Sequence, residues 1–261
     1  MKTVVISGGT DGMGRATALA RRERGDAVVV IGSNAEKGRA LGPGITFVQA
    51  DLSSTAEVAR VVATLRERLE SVDALVLCAN RQSPRRRETP EGLEYTFALY
   101  FLSRHLLAEG LRPLLEAAPA PVVVNVAGVG MTKGAIAWDD LQLRRGYGMV
   151  RAQLQAGRLN DLLGAGYRGK ARYVLYHPGF TRSGDLSPLP APLRLTLRLL
   201  ARVAARPVAA SAAPIVELVD HPPAARLTAV DRGKVLDPSL PTLDPAAAER
   251  LREVIERAGW R

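Results

Sequence analysis

The chain has 261 residues, 47% of them hydrophobic but only 5% aromatic, with one cysteine (Cys78) and a formal net charge of +10. That size suits a single α/β domain spanning residues 1–261 with a core built mainly from Val, Leu and Ala, and a lone cysteine excludes an internal disulfide. The charge does not point to nucleic acid, because arginines are spread along the chain with no aromatics interleaved; no run approaches the roughly 18 apolar residues of a membrane span, and Met1-Lys2 leads straight into a strand, so a cytoplasmic protein is expected.

The first predicted element, Thr3–Ser7, is a short β-branched run that enters Gly8-Gly9-Thr10-Asp11-Gly12-Met13-Gly14 and then a helix over 13–24. This reads as a pyrophosphate cradle. Gly8 permits a tight turn, Gly12 lets the backbone approach phosphate, and Gly14 lets the helix pack near the strand. Thr10, Asp11 and Met13 complete the turn, and the positive end of the helix faces the anion. Further strand-like runs at Ala27–Gly32, Ile45–Gln49, Ala74–Cys78, Val122–Ala127 and Arg172–His177 alternate with helical patterns at 34–41, 54–69, 90–117 and 145–165. Such alternation predicts a Rossmann-type, doubly wound parallel sheet covered on both faces. Ser53 or Ser54 is the expected cap of the third helix, and Thr89-Pro90-Glu91 supplies a cap and first-turn proline for the fourth. A strand near Arg226–Val230 and a helix over Pro245–Arg257 close the fold.

After the second strand, the position that is acidic in an NAD-selective site holds Gly32-Ser33-Asn34, with Lys37 one turn later. An acid there bonds the ribose 2′-hydroxyl and repels a 2′-phosphate, so its absence favours NADP(H) over NAD(H). Ser33 and Asn34 can donate to the phosphate and Lys37 can supply charge; Asp11 and Glu36 weigh against this, and Ser33 and Asn34 equally suit a helix cap. Asp51-Leu52 ends the third strand, where it can bracket an adenine, or Asp51 can cap the helix that follows.

Taken together, Ser7-Gly8-x-x-x-Gly12-x-Gly14, Gly32-Ser33-Asn34, Asp51-Leu52 and His177-Pro178-Gly179-Phe180-Thr181 resemble the short-chain dehydrogenase/reductase superfamily over nearly the whole chain. Asp139-Asp140-Leu141-Gln142, Asp231-Arg232-Gly233-Lys234 and Pro238-Ser239 resemble its retinol-dehydrogenase-like branch. The resemblance implies about seven strands, a nicotinamide cofactor over the strand ends, hydride transfer, and a homodimer or homotetramer. It sets Pro178, Gly179 and Thr181 against the nicotinamide carboxamide and Ala79 and Asn80 beside the adenosine ribose, although the family's Asn-Asn-Ala-Gly is here Leu77-Cys78-Ala79-Asn80.

Catalysis in that family uses a tyrosine as general acid, a lysine four residues later, a serine and an asparagine. Aligned from Asp139 through Tyr147 and Arg151-Ala152, the tyrosine position falls on Gln153, the lysine on Gly157, the serine on Gly128 and the asparagine on Tyr100. All four are replaced. Tyr147, Gln153 and Tyr100 are the candidate substitutes. Tyr147 and Arg151 repeat the spacing six residues early, but arginine cannot yield its proton as lysine does; the plain alternative is that Tyr147 packs at the head of a helix. Tyr100 equally suits a core position, and Gln153 can hydrogen-bond a substrate oxygen without protonating it. His105 and His177 read as structural, His221 lies near a helix end, and no metal spacing exists.

Leu193, Leu197 and Leu200, with Arg194, Arg198, Arg202 and Arg206 at every fourth residue, suggest a lid over a hydrophobic small molecule at about 185–210, or else an arginine stripe on an ordinary helix or a membrane-surface helix. Arg85-Arg86-Arg87 suits an acidic substrate or simple solvation. The expected function is an NADP(H)-binding oxidoreductase with an atypical site. The alternatives are a non-redox cyclase or isomerase that retains the cofactor as scaffold, and a non-catalytic NADP(H) sensor.

Overall fold

Strands made of continuous Val, Ile and Leu have no polar face to offer water, so they demand cover on both sides. The computed structural model describes residues 1–130, 134–179, 181 and 206–260 and meets that demand. Strands β1 (Thr3–Ser7), β2 (Ala27–Gly32), β3 (Ile45–Gln49), β4 (Ala74–Leu77), β5 (Val122–Val126), β6 (Arg172–His177) and β7 (Leu227–Asp231) pair in parallel. The order is β3-β2-β1-β4-β5-β6-β7, with β8 (Lys234–Val235) beyond β7. Chain direction across the sheet reverses beside β1, whose Ile6 lies between Val30 of β2 and Val76 of β4. A crevice at the strand ends is expected there.

Two apolar clusters are separated by the sheet. One gathers α3 (Thr55–Arg68), α4 (Ser103–Gly110), α6 (Met149–Ala165) and α8 (Pro245–Arg257), while α5 (Arg112–Ala117) continues from α4. The other is covered by α1 (Gly12–Glu23) and α7 (Val208–Asp220), with the short α2 (Ala35–Arg39) against β3. Arg21, fully buried on α1, ties these helices together by pairing with Asp26 and with Asp220 at 2.6 Å.

The structure adds a short strand, moves two expected helix starts and selects one of the caps the sequence offers for α3. An eighth strand, β8 (Lys234–Val235), runs antiparallel to β7; at two residues it is too short to leave a pattern, yet Arg232-Gly233, with φ of 50° and 85°, is a two-residue hairpin signal. The helix expected over 90–117 starts only at Tyr95, passes through a π-helical turn at Phe97–Leu102, and breaks between α4 and α5. Thr89 closes a local turn, accepting from Gly92 N and donating to Leu93 O. Glu94 is the real cap, accepting the amides of Thr96 at 2.9 Å and Phe97 at 2.7 Å. The helix expected from residue 145 starts at Met149, because Asp140 holds the amides of Arg144 and Arg145 in the preceding loop. Ser54, not Ser53 or Asp51, caps α3.

A cavity of about 700 Å³ lies between α3, α4, α6 and α8 and touches none of the residues named above for the cofactor. His105 borders it, and burial pushes its imidazole down to about 4, so it is neutral at physiological pH. No described helix is long and apolar enough to cross a membrane.

Candidate functional site

At Gly8, Gly9 and Gly14 the turn after β1 has no side chain because its neighbours leave no room for one. Gly8 has φ +67°, donates to Ile31 O at 2.9 Å, and a Cβ there would lie 2.7 Å from the Ala79 backbone. A Cβ on Gly14 would lie 2.4 Å from Gly8 O. Asp11 caps α1 by accepting the Gly12 amide at 2.7 Å, which leaves the first-turn amides of Met13 and Gly14 without intrahelical acceptors. This bare, amide-lined cradle at a helix N-terminus fits a dinucleotide pyrophosphate. Thr10 lies against Gly32 at the end of β2.

Asn34 caps α2, accepting Lys37 N at 2.8 Å, so the plain reading of that residue holds. Ser33 adjoins it, its carbonyl accepting from Gln49 at 3.3 Å. The Lys37 ammonium forms an ion pair with Asp11 across the mouth of the cradle, where it offsets an anionic charge that would otherwise face phosphate. Asp51 accepts from the Ser53 amide at 3.0 Å and hydroxyl at 2.8 Å, beside the buried Leu52.

Of the positions that the resemblance assigns to the family's catalytic residues, Tyr100, Gly128 and Gly157 lie near one another. Gly128, just past β5, donates its amide to the Tyr100 hydroxyl oxygen at 3.4 Å, and a Cβ on Gly157 would meet only Gly128 O, at 3.9 Å. Gln153, one turn before Gly157 on α6, pairs reciprocally with Asn80 just past β4, at 3.0 and 3.3 Å. Each amide keeps one N–H and one lone pair for another partner. Tyr147 stands apart. It precedes α6, its hydroxyl donates to Ser83 O at 2.7 Å, and Arg151 is engaged with the carbonyls of Arg145 and Gly146 at 3.1 and 2.7 Å, so this pair fastens the head of the helix.

Pro178 and Gly179 follow β6, with Arg232 lying against Gly179. Thr181 shares a 3.1 Å hydroxyl contact with Ser211 of α7, and His177 bonds Asp231 at 2.8 Å. Arg86 is held by Gln142 O and Glu88, and Arg87 covers the Tyr95 ring at 4.5 Å, so two of the three loop arginines have structural work. Phe180, Leu193, Leu197, Leu200, Arg194, Arg198 and Arg202, and with them most of the expected lid, lie outside the described residues; Arg206 bridges to Thr181.

A buried polar network was not anticipated. Arg104, with no exposed surface, donates to Ala79 O at 2.9 Å, to Val126 O at 2.8 Å and to Asn125 Oδ1. Asn125 in turn donates to Asn160 and Tyr173, both at 2.9 Å, and Asn160 to Tyr100 O at 2.8 Å. The network thus holds the ends of β4 and β5 against α4 and α6. Single polar residues inside Val122-Val-Val-Asn-Val and inside the apolar run around Arg104 were the available signal.

Next to Asn160, the buried Asp161 accepts Gly130 N at 3.1 Å and lies 3.5 Å from Arg158. Burial pushes its carboxyl up to about 6, against the opposing pull of Thr242, the Gly130 amide and Arg158. The fold therefore keeps the proton to higher pH than the unfolded chain does, and between about pH 4 and 6 rising pH removes stability. Asp161→Asn is expected to melt higher at pH 8 by roughly 4 to 8 °C, from about 2 kcal/mol. The advantage should vanish below pH 4, by calorimetry across that range.

A family model described as short chain dehydrogenase matches residues 2–139. Human retinol dehydrogenase 13 is 28% identical over 149 residues, covering 54% of this chain and 45% of that protein. The chain spans about half the length of most of the curated relatives it matches. Among solved structures, a protein from Mycobacterium paratuberculosis superposes with a TM-score of 0.77 at 20% identity, over 98% of this chain and 92% of that one. An NADPH-dependent 3-quinuclidinone reductase from Rhodotorula rubra superposes with a TM-score of 0.65 at 17% identity, over 89% and 90%.

Proposed function

The chain belongs to the short-chain dehydrogenase family of oxidoreductases, and from that premise we propose that it binds NADP(H) and acts on a hydrophobic small molecule through a site lacking the family's tyrosine–lysine pair. In this reading Gly8, Thr10, Gly12, Met13 and Gly14 cradle the pyrophosphate. Asp51 and Leu52 flank the adenine, Ala79 and Asn80 the adenosine ribose, and Pro178, Gly179 and Thr181 the carboxamide. The cofactor supplies or accepts hydride. Gln153, oriented by Asn80, hydrogen-bonds a substrate oxygen. Association into a homodimer or homotetramer through α4 and α6 belongs to the same proposal.

The observation that carries this reading is the glycine turn, in which Gly8 packs against the Ala79 backbone and Gly14 against Gly8 O, while Asn80, next along the chain, pairs with Gln153. NADP(H) is favoured because Ser33 and Asn34, rather than an acid, directly follow Gly32 at the end of β2, and the R. rubra reductase is NADPH-dependent by name. A hydrophobic substrate agrees with the retinol named for the human relative. The test is NADPH fluorescence on mixing, followed by NADPH consumption with a panel of apolar carbonyls, imines and enones. Binding with no consumption selects the second reading, favoured by the same lack of a tyrosine–lysine pair: a non-redox enzyme or sensor that keeps the dinucleotide.

Lys37 tests the choice of cofactor. Lys37→Ala is expected to weaken NADPH binding about tenfold relative to NADH, a change of about 1.4 kcal/mol in their difference. Titration of both cofactors by fluorescence reads it. Equal losses for the two would assign Lys37 to offsetting Asp11 alone.

A further inference from the structure

We propose that Tyr100 is the proton donor of this site and that Arg104, buried against its ring, is the positioning residue that holds the phenol and would hold its conjugate base. The inference rests on the oxidoreductase reading above. It begins with the π-helical turn Phe97–Leu102, which brings a tyrosine from an otherwise apolar helix to the end of β5. The phenolic oxygen there accepts the amide of half-exposed Gly128, and among the described residues its own proton has no acceptor. Gly128 and Gly157 put no side chain beside it.

Arg104 supplies the second half of the argument. Its guanidinium lies 4.6 Å from the centre of the Tyr100 ring and is held by three neutral oxygens, those of Ala79, Val126 and Asn125. No carboxylate pairs with it among the described residues, and its Nε has no partner. A fully buried cation without an anion is costly to keep. A phenolate one ring away is the anion whose formation would relieve it. The groups facing the Tyr100 phenol are Arg104 from α4, the Gly128 amide from the end of β5 and Asp161 from α6; burial, first, and Asp161 hold the phenol above its usual range, against the opposing pull of Arg104 and the amide.

The chemistry balances for carbonyl reduction. With hydride supplied by the reduced nicotinamide, the carbonyl carbon gains a C–H bond and the C=O π pair moves to oxygen. The Tyr100 O–H bond breaks to give the alcohol O–H, and the remaining phenolate takes a proton from water. No lysine is required at Gly157.

The test has one arm that needs no turnover. A 3,5-difluorotyrosine, whose phenol ionises near neutrality, is placed at position 100 and its fluorine resonance is titrated in the cofactor-free protein. In Arg104→Met the titration should move up by at least one pH unit, a tenfold change in proton affinity, and in Arg104→Lys it should stay close to the parent. Should Arg104→Met fail to fold, Arg104→Gln takes its place. An unmoved titration would overturn the role of Arg104.

In the second arm, Tyr100→Phe should lose at least a hundredfold in kcat for NADPH consumption while NADPH fluorescence binding stays within twofold. Undiminished turnover would overturn Tyr100 as donor. If the parent protein binds NADPH but reduces nothing, the oxidoreductase reading and the donor assignment fall together. The fluorine titration then still decides whether Arg104 and Tyr100 are coupled.

Discussion

Gly14→Ala is expected to abolish NADPH binding at cofactor concentrations more than a hundredfold above those that saturate the parent, and to lower the melting temperature by about 5 to 10 °C. The added Cβ would lie 2.4 Å from Gly8 O and 3.0 Å from both Gly8 C and Gly9 Cα. All three are backbone atoms, so no side chain can swing aside. The turn itself must open, at the roughly 1–3 kcal/mol typical of overpacking, which in a domain of this size corresponds to several degrees. Opening it also moves the amides of Met13 and Gly14 away from where phosphate would sit. Gly157→Ala is the control for stability, since its Cβ meets only Gly128 O at 3.9 Å and replacing a helical glycine removes backbone freedom from the unfolded chain. It should melt at or slightly above the parent temperature. Fluorescence titration and calorimetry on both proteins decide the matter, and a Gly14→Ala protein that binds NADPH normally would remove the cradle from the account.

Why that turn could be read from sequence, and other parts could not, follows from what each depends on. The cradle is local: strand, glycines and helix lie within Thr3–Glu23, and Gly8 and Gly14 are dictated by a neighbour a few residues away or by one adjacent strand. The parallel sheet was equally legible, because strands buried on both faces leave unbroken apolar runs. Boundaries were less so. Thr89-Pro90 has the composition of a helix start, yet Glu94, with two carboxylate oxygens for two amides, wins the cap. The site divides along the same line. Of the positions taken from the family motif, Tyr100 and Gly128 share a hydrogen bond, a Cβ added at Gly157 would lie near Gly128 O, and Gln153, one turn earlier on α6, pairs with Asn80. Lys37, read as a charge for a 2′-phosphate with Asp11 weighed against it, is paired with that Asp11, from another element. The Arg104 network escaped notice because its acceptors are mainly backbone carbonyls and neutral amides. Such partners leave no charge pattern in a sequence, and only the unusual polarity of Asn125 and Arg104 in apolar company hinted at them.

In the Tyr100→Phe background, rebuilding the family's donor set should raise carbonyl reduction by about 10²- to 10⁴-fold in kcat, the usual contribution of a placed general acid. Gly128→Ser, Gln153→Tyr and Gly157→Lys are the obvious substitutions, and the geometry adds a fourth. Asn80 exchanges two hydrogen bonds with Gln153, so a tyrosine at 153 would leave the Asn80 amide without that partner beside the new phenol. Asn80→Gly removes the conflict and returns the residue the family has there. Room for the lysine exists, because at Gly157 a Cβ has only an ordinary van der Waals contact with Gly128 O. Its ammonium would also lie on the face of α6 that carries residue 153, one turn away, where a positive charge favours the phenolate. The gain, followed as NADPH consumption with the carbonyl panel, should depend on both residues: reverting 157 alone to glycine should cost most of it. A quadruple variant that folds, binds NADPH and stays inert would mean that residue 153 does not stand where a substrate carbonyl arrives. The alignment through Tyr147 and Arg151 would then be off by at least a helical turn, while the cradle and the Tyr100–Arg104 pair, which do not depend on that register, would keep their own tests.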